Sequence, residues 1–394
     1  MKETVSGNVL SVIVSMITDT SCHIDAFVSF SNRSTAIVLE YGFTDHYGKT
    51  APVSGVQRNV SIPVNIIADL KNLIPFRQYH FRFGFITNTS VTYSEDYTFE
   101  TVSTFEIFDF AAGYSFRKLS SQYSGAAIKV RRSSDDVEKD IGFSGRFFDI
   151  GDLLAFVGSG NGYVKIWYDQ SGNNRHLQRS LNSGQPMIVN EGNICTDTQN
   201  KRPAVVFDTV FQCMQTSFFS PVIPQPHMKV VACEFGSTVG PLEYLFDGSI
   251  YTRTILGTDD GYSKWRISAG NEIDGDDSPR LSTKYVLSAL YKGADSYLRA
   301  NKTMVITGNA GNSGLQQITL AQYPALNLGF LQFYGSVSEI LVPVVDLGIY
   351  LERVENEVGA YVNNEYATGV FVSGIFNDNA IFNDDEIFND GELT

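Results

Sequence analysis

Charge is scarce in this 394-residue chain. Lys, Arg, Asp and Glu together make up 18% of it, against roughly 25% in an average soluble domain. Long solvated helix faces need charge, so an all-helical protein is disfavoured. The charge present is skewed to a net −14, which leaves no basic footprint of the kind a nucleic-acid binder needs. Cysteine is nearly missing as well. Cys22, Cys195, Cys213 and Cys233 form no C-x-x-C pair, which argues against a zinc site. Four in so long a chain do not build a disulfide framework, and we expect free, buried thiols in a chain folded in a reducing cytoplasm. No apolar run reaches the ~18 residues of a membrane-spanning helix. The apolar stretch 9–16 is too short for a signal peptide and has no small-residue cleavage site. Its alternation reads as a strand.

What the chain does have is turn residues and rings: 34 Gly, 28 Phe and 13% aromatics. That composition predicts an all-β protein. In residues 1–103, candidate strands fall at 9–15, 22–29, 35–41, 60–69, 79–88 and 97–102, separated by turn signals, the pattern of an immunoglobulin-like sandwich. Leu73, Pro75 and Tyr79 have the Leu-x-Pro-x-x-x-Tyr spacing of a tyrosine corner, in which the Tyr79 hydroxyl meets the backbone and closes one end of the sandwich. With Glu40-Tyr41-Gly42, Tyr79-His80-Phe81-Arg82-Phe83 and Tyr97-Thr98-Phe99-Glu100-Thr101, this segment resembles a fibronectin type III domain. No Arg-Gly-Asp loop is present, and such a fold carries little functional information by itself.

Residues 104–368 read as one long β-rich domain punctuated by Gly and Asn. Helices are predicted at 111–120, at 149–157 with Asp149 as N-cap, and after Asp346, where Leu351, Val354, Val358 and Tyr361 recur at helical spacing. Residues 369–394 form an acidic tail. Residues 370–394 hold six acidic and no basic side chains. Ile-Phe-Asn-Asp occurs three times with a period of six. In an extended strand Ile375, Ile381 and Ile387 share one face, and Phe376, Phe382 and Phe388 the other. Two apolar rows point to an assembly segment that docks on, or trimerises with, another chain. A solvated acidic tail is the plainer reading.

Two stretches of the large domain are distinctive. One runs Tyr123-Ser124-Gly125, then Val130-Arg131-Arg132, Ser134-Asp135 and Asp140-Ile141-Gly142. The other is Trp167-Tyr168-Asp169-Gln170-Ser171-Gly172-Asn173, followed by His176-Leu177. In this order they resemble the arabinofuranosidase B catalytic domain of glycoside hydrolase family 54. The resemblance covers residues 111–178 and implies a concanavalin A-like jelly-roll sandwich. Segments 202–208, 298–309 and 333–340 resemble later strands of that superfamily. It also makes Trp167, Tyr168, Asp169, Gln170, Asn173 and His176 candidate carbohydrate-binding residues. Against this, Asp169 suits an Asx-turn and Gly172 a positive φ. Arg132 shares parity with Ile128 and Val130, so we expect it to point inward and pair with Asp140 or Asp169.

Glycoside hydrolysis needs two carboxylates flanking the bond, and neither falls within the matched segments, so no catalytic residue is assigned. Asp274-Gly275-Asp276-Asp277 lacks the rest of a calcium loop. Residues 158–162 lack the Lys-Ser/Thr of a phosphate loop. The five histidines show no ligand spacing, so no metal or cofactor is expected. The two modules together resemble bacteriophage virion structural proteins. That reading implies a head or tail fibre, collar or decoration subunit, made in the host cytoplasm and carried on the virion. Its partners are other virion proteins and further copies of itself, with host glycans outside and no nucleic acid or membrane insertion. The alternative is an arabinofuranosidase-like hydrolase or depolymerase.

Overall fold

The computed structural model describes residues 7–30, 36–55, 63–75, 77–86, 91–197, 201–236, 244–259, 263–324 and 332–362. The chain divides into two compact units, residues 1–107 and 108–394. The tail residues Ile375, Phe376, Ile381, Phe382, Ile387 and Phe388 lie outside the described residues.

The first unit is a two-layer antiparallel sandwich. Strands β1 (Gly7–Ser15), β2 (Ser21–Phe30) and β5 (Val64–Lys71) form one sheet. The other holds β3 (Ala36–Gly42), β4 (Lys49–Pro52), β6 (Gln78–Ile86), β7 (Val91–Tyr93) and β8 (Tyr97–Glu100). Period-two burial sets the layers. In β5, Val64, Ile66, Ala68 and Leu70 point in, and they meet Phe81, Phe83 and Phe85 of β6 and Ile24 and Val28 of β2. At one end the backbone N–H of Ile74 donates to the Tyr79 hydroxyl at 2.8 Å. Burial pushes that phenol up to about 12.

The second unit is all-β around a single core. Nineteen of its described strands join one hydrogen-bonded sheet that folds over on itself. One layer runs Thr303–Gly308, Ser296–Ala300, Lys284–Tyr291, His227–Phe235, Gly335–Pro343, Phe110–Ser115. The facing layer includes Ile128–Arg132, Gly162–Trp167, Leu177–Gln178, Met214–Gln215, Thr319–Leu320, Tyr244–Asp247, Ile255–Thr258 and Trp265–Ser268. Val231, Phe235, Leu287 and Val337 of the first layer pack with Trp167, Leu245, Leu256 and Trp265 of the second. Helix α1 (Ile150–Val157) begins at Asp149, whose side chain accepts from the N–H of Asp152. Helix α2 (Leu351–Tyr361) buries Leu351, Val354, Val358 and Tyr361.

Residues 111–120 are not a helix. They start with the strand Phe110–Ser115, paired along Gly335–Pro343. Small residues such as Ala111, Ala112 and Gly113 carry little strand preference of their own, so pairing and burial decide the outcome.

Candidate functional site

The block 167–176 follows directly on a core strand. Trp167 ends Gly162–Trp167 with 0% exposure, stacked 5.2 Å from the ring of Phe116 and 6.0 Å from that of Tyr114. A ring so enclosed offers no face to a sugar. The next residues are used by the backbone. Buried Asp169 accepts through Oδ1 from the N–H groups of Gly113 and Ser171, both at 2.9 Å. Its Oδ2 accepts from Ser171 Oγ at 2.9 Å and the N–H of Arg175 at 3.0 Å. Gln170 accepts from the N–H of Leu119 at 2.9 Å and donates to the carbonyls of Ser115 and Arg117, each at 3.0 Å. Asn173 donates to the carbonyl of Phe110 at 2.8 Å, and Arg175 to that of Ala111 at 2.9 Å. The Asx-turn is there, with Gly172 at φ +86°.

The structure therefore corrects the reading of Trp167, Asp169 and Gln170 as ligand contacts. Their burial and saturated hydrogen bonding make them a staple that holds segment 110–119 to the turn. Exposure remains at Tyr168, Asn173 and His176. The Tyr168 hydroxyl donates to Asp140 at 2.7 Å, and Lys129 Nζ lies 3.5 Å from the same carboxylate. The His176 ring sits edge-on to Tyr168 at 5.0 Å. Burial, then the hydrogen bond to Asp140, raises the Tyr168 phenol, and burial lowers His176. At neutral pH this rim presents a neutral phenol and a neutral imidazole. It can donate and accept hydrogen bonds; nothing in it pairs an acid with a base across a gap.

Arg132 also departs from expectation. It is half-exposed and grips Asp135 at 2.7 and 2.8 Å in the hairpin turn, with neither Asp140 nor Asp169 as partner. Ile128 and Val130 keep the core-facing parity, but the strand ends at Arg132, where the chain enters the turn at 133–135, so parity no longer sets its direction. The buried arginine is its neighbour. Arg131 is buried and donates to Gln185 Oε1 at 2.8 Å and to Asp136 at 2.5 Å.

Two buried polar clusters lie outside the sequence motifs. Arg117 joins Glu339 of the strand Gly335–Pro343 to Glu357 of α2, with Nη1 3.1 Å from the latter. Lys229 occupies an inward position beside Val231 in His227–Phe235, wholly buried. Its Nζ donates to the carbonyl of Thr254 and to Thr254 Oγ1, the latter at 3.2 Å, and lies 4.1 Å from the ring of Phe246. Nearby, Asp247 takes Arg253 Nε at 2.7 Å and the N–H groups of Gly248 and Thr254 at 2.7 and 3.2 Å. Burial lowers Lys229 and raises Asp247. A lysine inside an apolar strand is the one sequence signal that marks this cluster. Together these groups fix both ends of loop 247–254. Among the described residues, no group of three or more His, Cys, Asp or Glu is placed to hold a metal ion.

No protein-family profile and no curated protein matches the chain. Among solved structures it is similar to a point mutant of a GH54 α-L-arabinofuranosidase soaked with 4-nitrophenyl α-L-arabinofuranoside, at 17% identity, TM-score 0.46, over 64% of this chain and 62% of that one. An arabinofuranosidase complexed with arabinofuranosyl-α-1,2-xylobiose gives 18%, 0.47, 66% and 63%. Domain 4 of AbnA, a GH43 extracellular arabinanase from Geobacillus stearothermophilus, gives 15%, 0.34, 44% and 85%. The chain thus spans less than two thirds of the arabinofuranosidases it matches. None of these likenesses assigns a role to a residue.

Proposed function

We propose that this chain is a bacteriophage virion structural protein, in which a fibronectin type III-like unit spaces an outward, lectin-like sandwich that binds host glycans. The observation that carries the reading is the use of Asp169 and Gln170. The block that most resembles a glycosidase spends its carboxylate and amide on backbone groups, which suits a scaffold and leaves that block no reaction centre. The tyrosine corner at Tyr79 and the layers of three and five strands support the spacer assignment. The Ile-Phe-Asn-Asp repeats support attachment to other virion proteins, or to further copies of this chain, through residues 369–394.

Imaging of intact particles tests the location. Deleting residues 371–394 is expected to leave both units folded and to abolish incorporation into particles; normal copy number in the truncated form would overturn the assembly role. Incubation with aryl arabinofuranosides is expected to release no sugar. Release that a single Asp or Glu substitution abolishes would favour the hydrolase or depolymerase reading.

A further inference from the structure

A cluster of large apolar side chains left in water marks a contact site. Tyr251 is 75% exposed and Phe218 53%, with ring centroids 6.1 Å apart and planes at 41°. The two come from separate segments. Tyr251 stands with Ile250 on loop 247–254, between the strands Tyr244–Asp247 and Ile255–Thr258; Phe218 follows the strand Met214–Gln215. One residue ties them together. Gln316 accepts through Oε1 from Ser249 Oγ at 3.0 Å, and its backbone carbonyl accepts from the N–H of Phe219 at 2.6 Å. Ser249 Oγ in turn accepts from the N–H groups of Tyr251 and Thr252 at 3.1 and 2.9 Å. With Asp247 and Lys229 holding the base of the loop, the backbones that carry both rings are fixed before any ligand arrives, which lowers the entropy lost on binding.

The surroundings choose the ligand. Arg253, on the same loop as Tyr251, is neutralised by Asp247 at 2.5 Å and lies over the ring of Tyr323 at 4.4 Å. The polar groups that join the two segments are the hydroxyls of Ser249 and Thr252 and the Gln316 amide, all uncharged. We propose that Phe218 and Tyr251 form a stacking site for the C–H faces of neutral saccharide rings, with Thr252 and the Gln316 amide as partners for their hydroxyls. An aromatic surface with a few neutral donors and acceptors fits a ring that is apolar on one face and hydroxylated at its edge. It offers little to a phosphate or a polyanion. The 41° tilt suits two successive sugars of a twisted chain better than a flat sheet of polysaccharide. This site rests on the glycan-binding reading of the large unit.

The test uses the full chain on immobilised arabino-, xylo-, gluco- and manno-oligosaccharides. Wild type is expected to bind at least one class. Tyr251→Ala and Phe218→Ala are each expected to weaken it about tenfold or more, with thermal midpoints unchanged, and Tyr251→Trp to retain it. Binding by wild type that both alanine variants keep would overturn this site and leave the glycan reading standing. Failure of wild type to bind any oligosaccharide would overturn both. Self-association of wild type that Tyr251→Ala abolishes, with no glycan bound, would assign the patch to a second copy and overturn the proposal.

Discussion

Arg117 holds Glu339 with two parallel hydrogen bonds, Nε to Oε2 and Nη2 to Oε1, each 2.9 Å long. Glu339 is 0% exposed, and its Oε2 also accepts from Ser115 Oγ at 2.6 Å. Burial alone would lower the guanidinium's pKa; the charge of Glu339, its hydrogen bonds and Glu357 more than reverse that and raise it. The pair links three elements: the strands Phe110–Ser115 and Gly335–Pro343 and, through Glu357, helix α2.

Arg117→Met strands a buried carboxylate. We expect it to destabilise the large unit by about 3–5 kcal/mol. The double change Arg117→Met with Glu339→Leu removes both charges and is expected to recover most of that loss. Denaturant unfolding of the two variants reads the difference; equal stability of single and double variants would contradict it.

Asp169→Asn tests the staple. The amide keeps one acceptor oxygen but opposes an N–H or O–H donor with its own NH2 group. The expected cost is about 1–3 kcal/mol, through unmet backbone donors. A variant as stable as wild type that has lost glycan binding would instead place Asp169 in a ligand site.

Tyr79→Phe removes the acceptor for the N–H of Ile74. We expect the first unit to lose about 1 kcal/mol, seen as a lower midpoint for its transition with the large unit unaffected.

Two histidines give the units opposite responses to pH. His23 is raised first by its hydrogen bond to Asp69 at 2.6 Å, and also by Asp25 at 3.2 Å. Its stabilising effect is complete below the unfolded value of about 6.5 and is lost as pH rises through the folded value. His227 is wholly buried, stacked 5.0 Å from Tyr291, and burial pushes it down to about 3, helped by the charge of Lys229. The large unit should therefore lose stability as pH falls from about 6.5 toward that folded value. Unfolding followed against pH should show His23→Gln flattening the alkaline loss of the first unit. His227→Phe should flatten the acid loss of the second.

The β class, six of the eight described strands of residues 1–103, the tyrosine corner and the two helices at 149–157 and after Asp346 were legible, because each rests on local spacing: period two, period 3.6, one capping Asp or one Leu-x-Pro-x-x-x-Tyr. The short strands Lys49–Pro52 and Val91–Tyr93 are too brief to show a period. Arg132 was misplaced because it is the last residue of its strand, where the turn at 133–135 rather than parity sets its direction. Trp167 and Asp169 were assigned to a ligand because a motif shows which residues occur together, not which way they face. Arg117 and Glu339 lie 222 residues apart, and Phe218 and Tyr251 come from separate segments to face each other at 6.1 Å. Such pairs exist only once the sheet has closed.

The strand Phe110–Ser115 ends its layer, yet its outer edge is not bare. The N–H and carbonyl of Gly113 are taken by Asp169 and the backbone of Gln170, and the carbonyls of Phe110, Ala111 and Ser115 by Asn173, Arg175 and Gln170. Side chains thus stand where a neighbouring strand would pair. An edge sealed in this way cannot template the growth of a continuous sheet from molecule to molecule. Many copies can then crowd at high local density without fusing into fibrils along this seam.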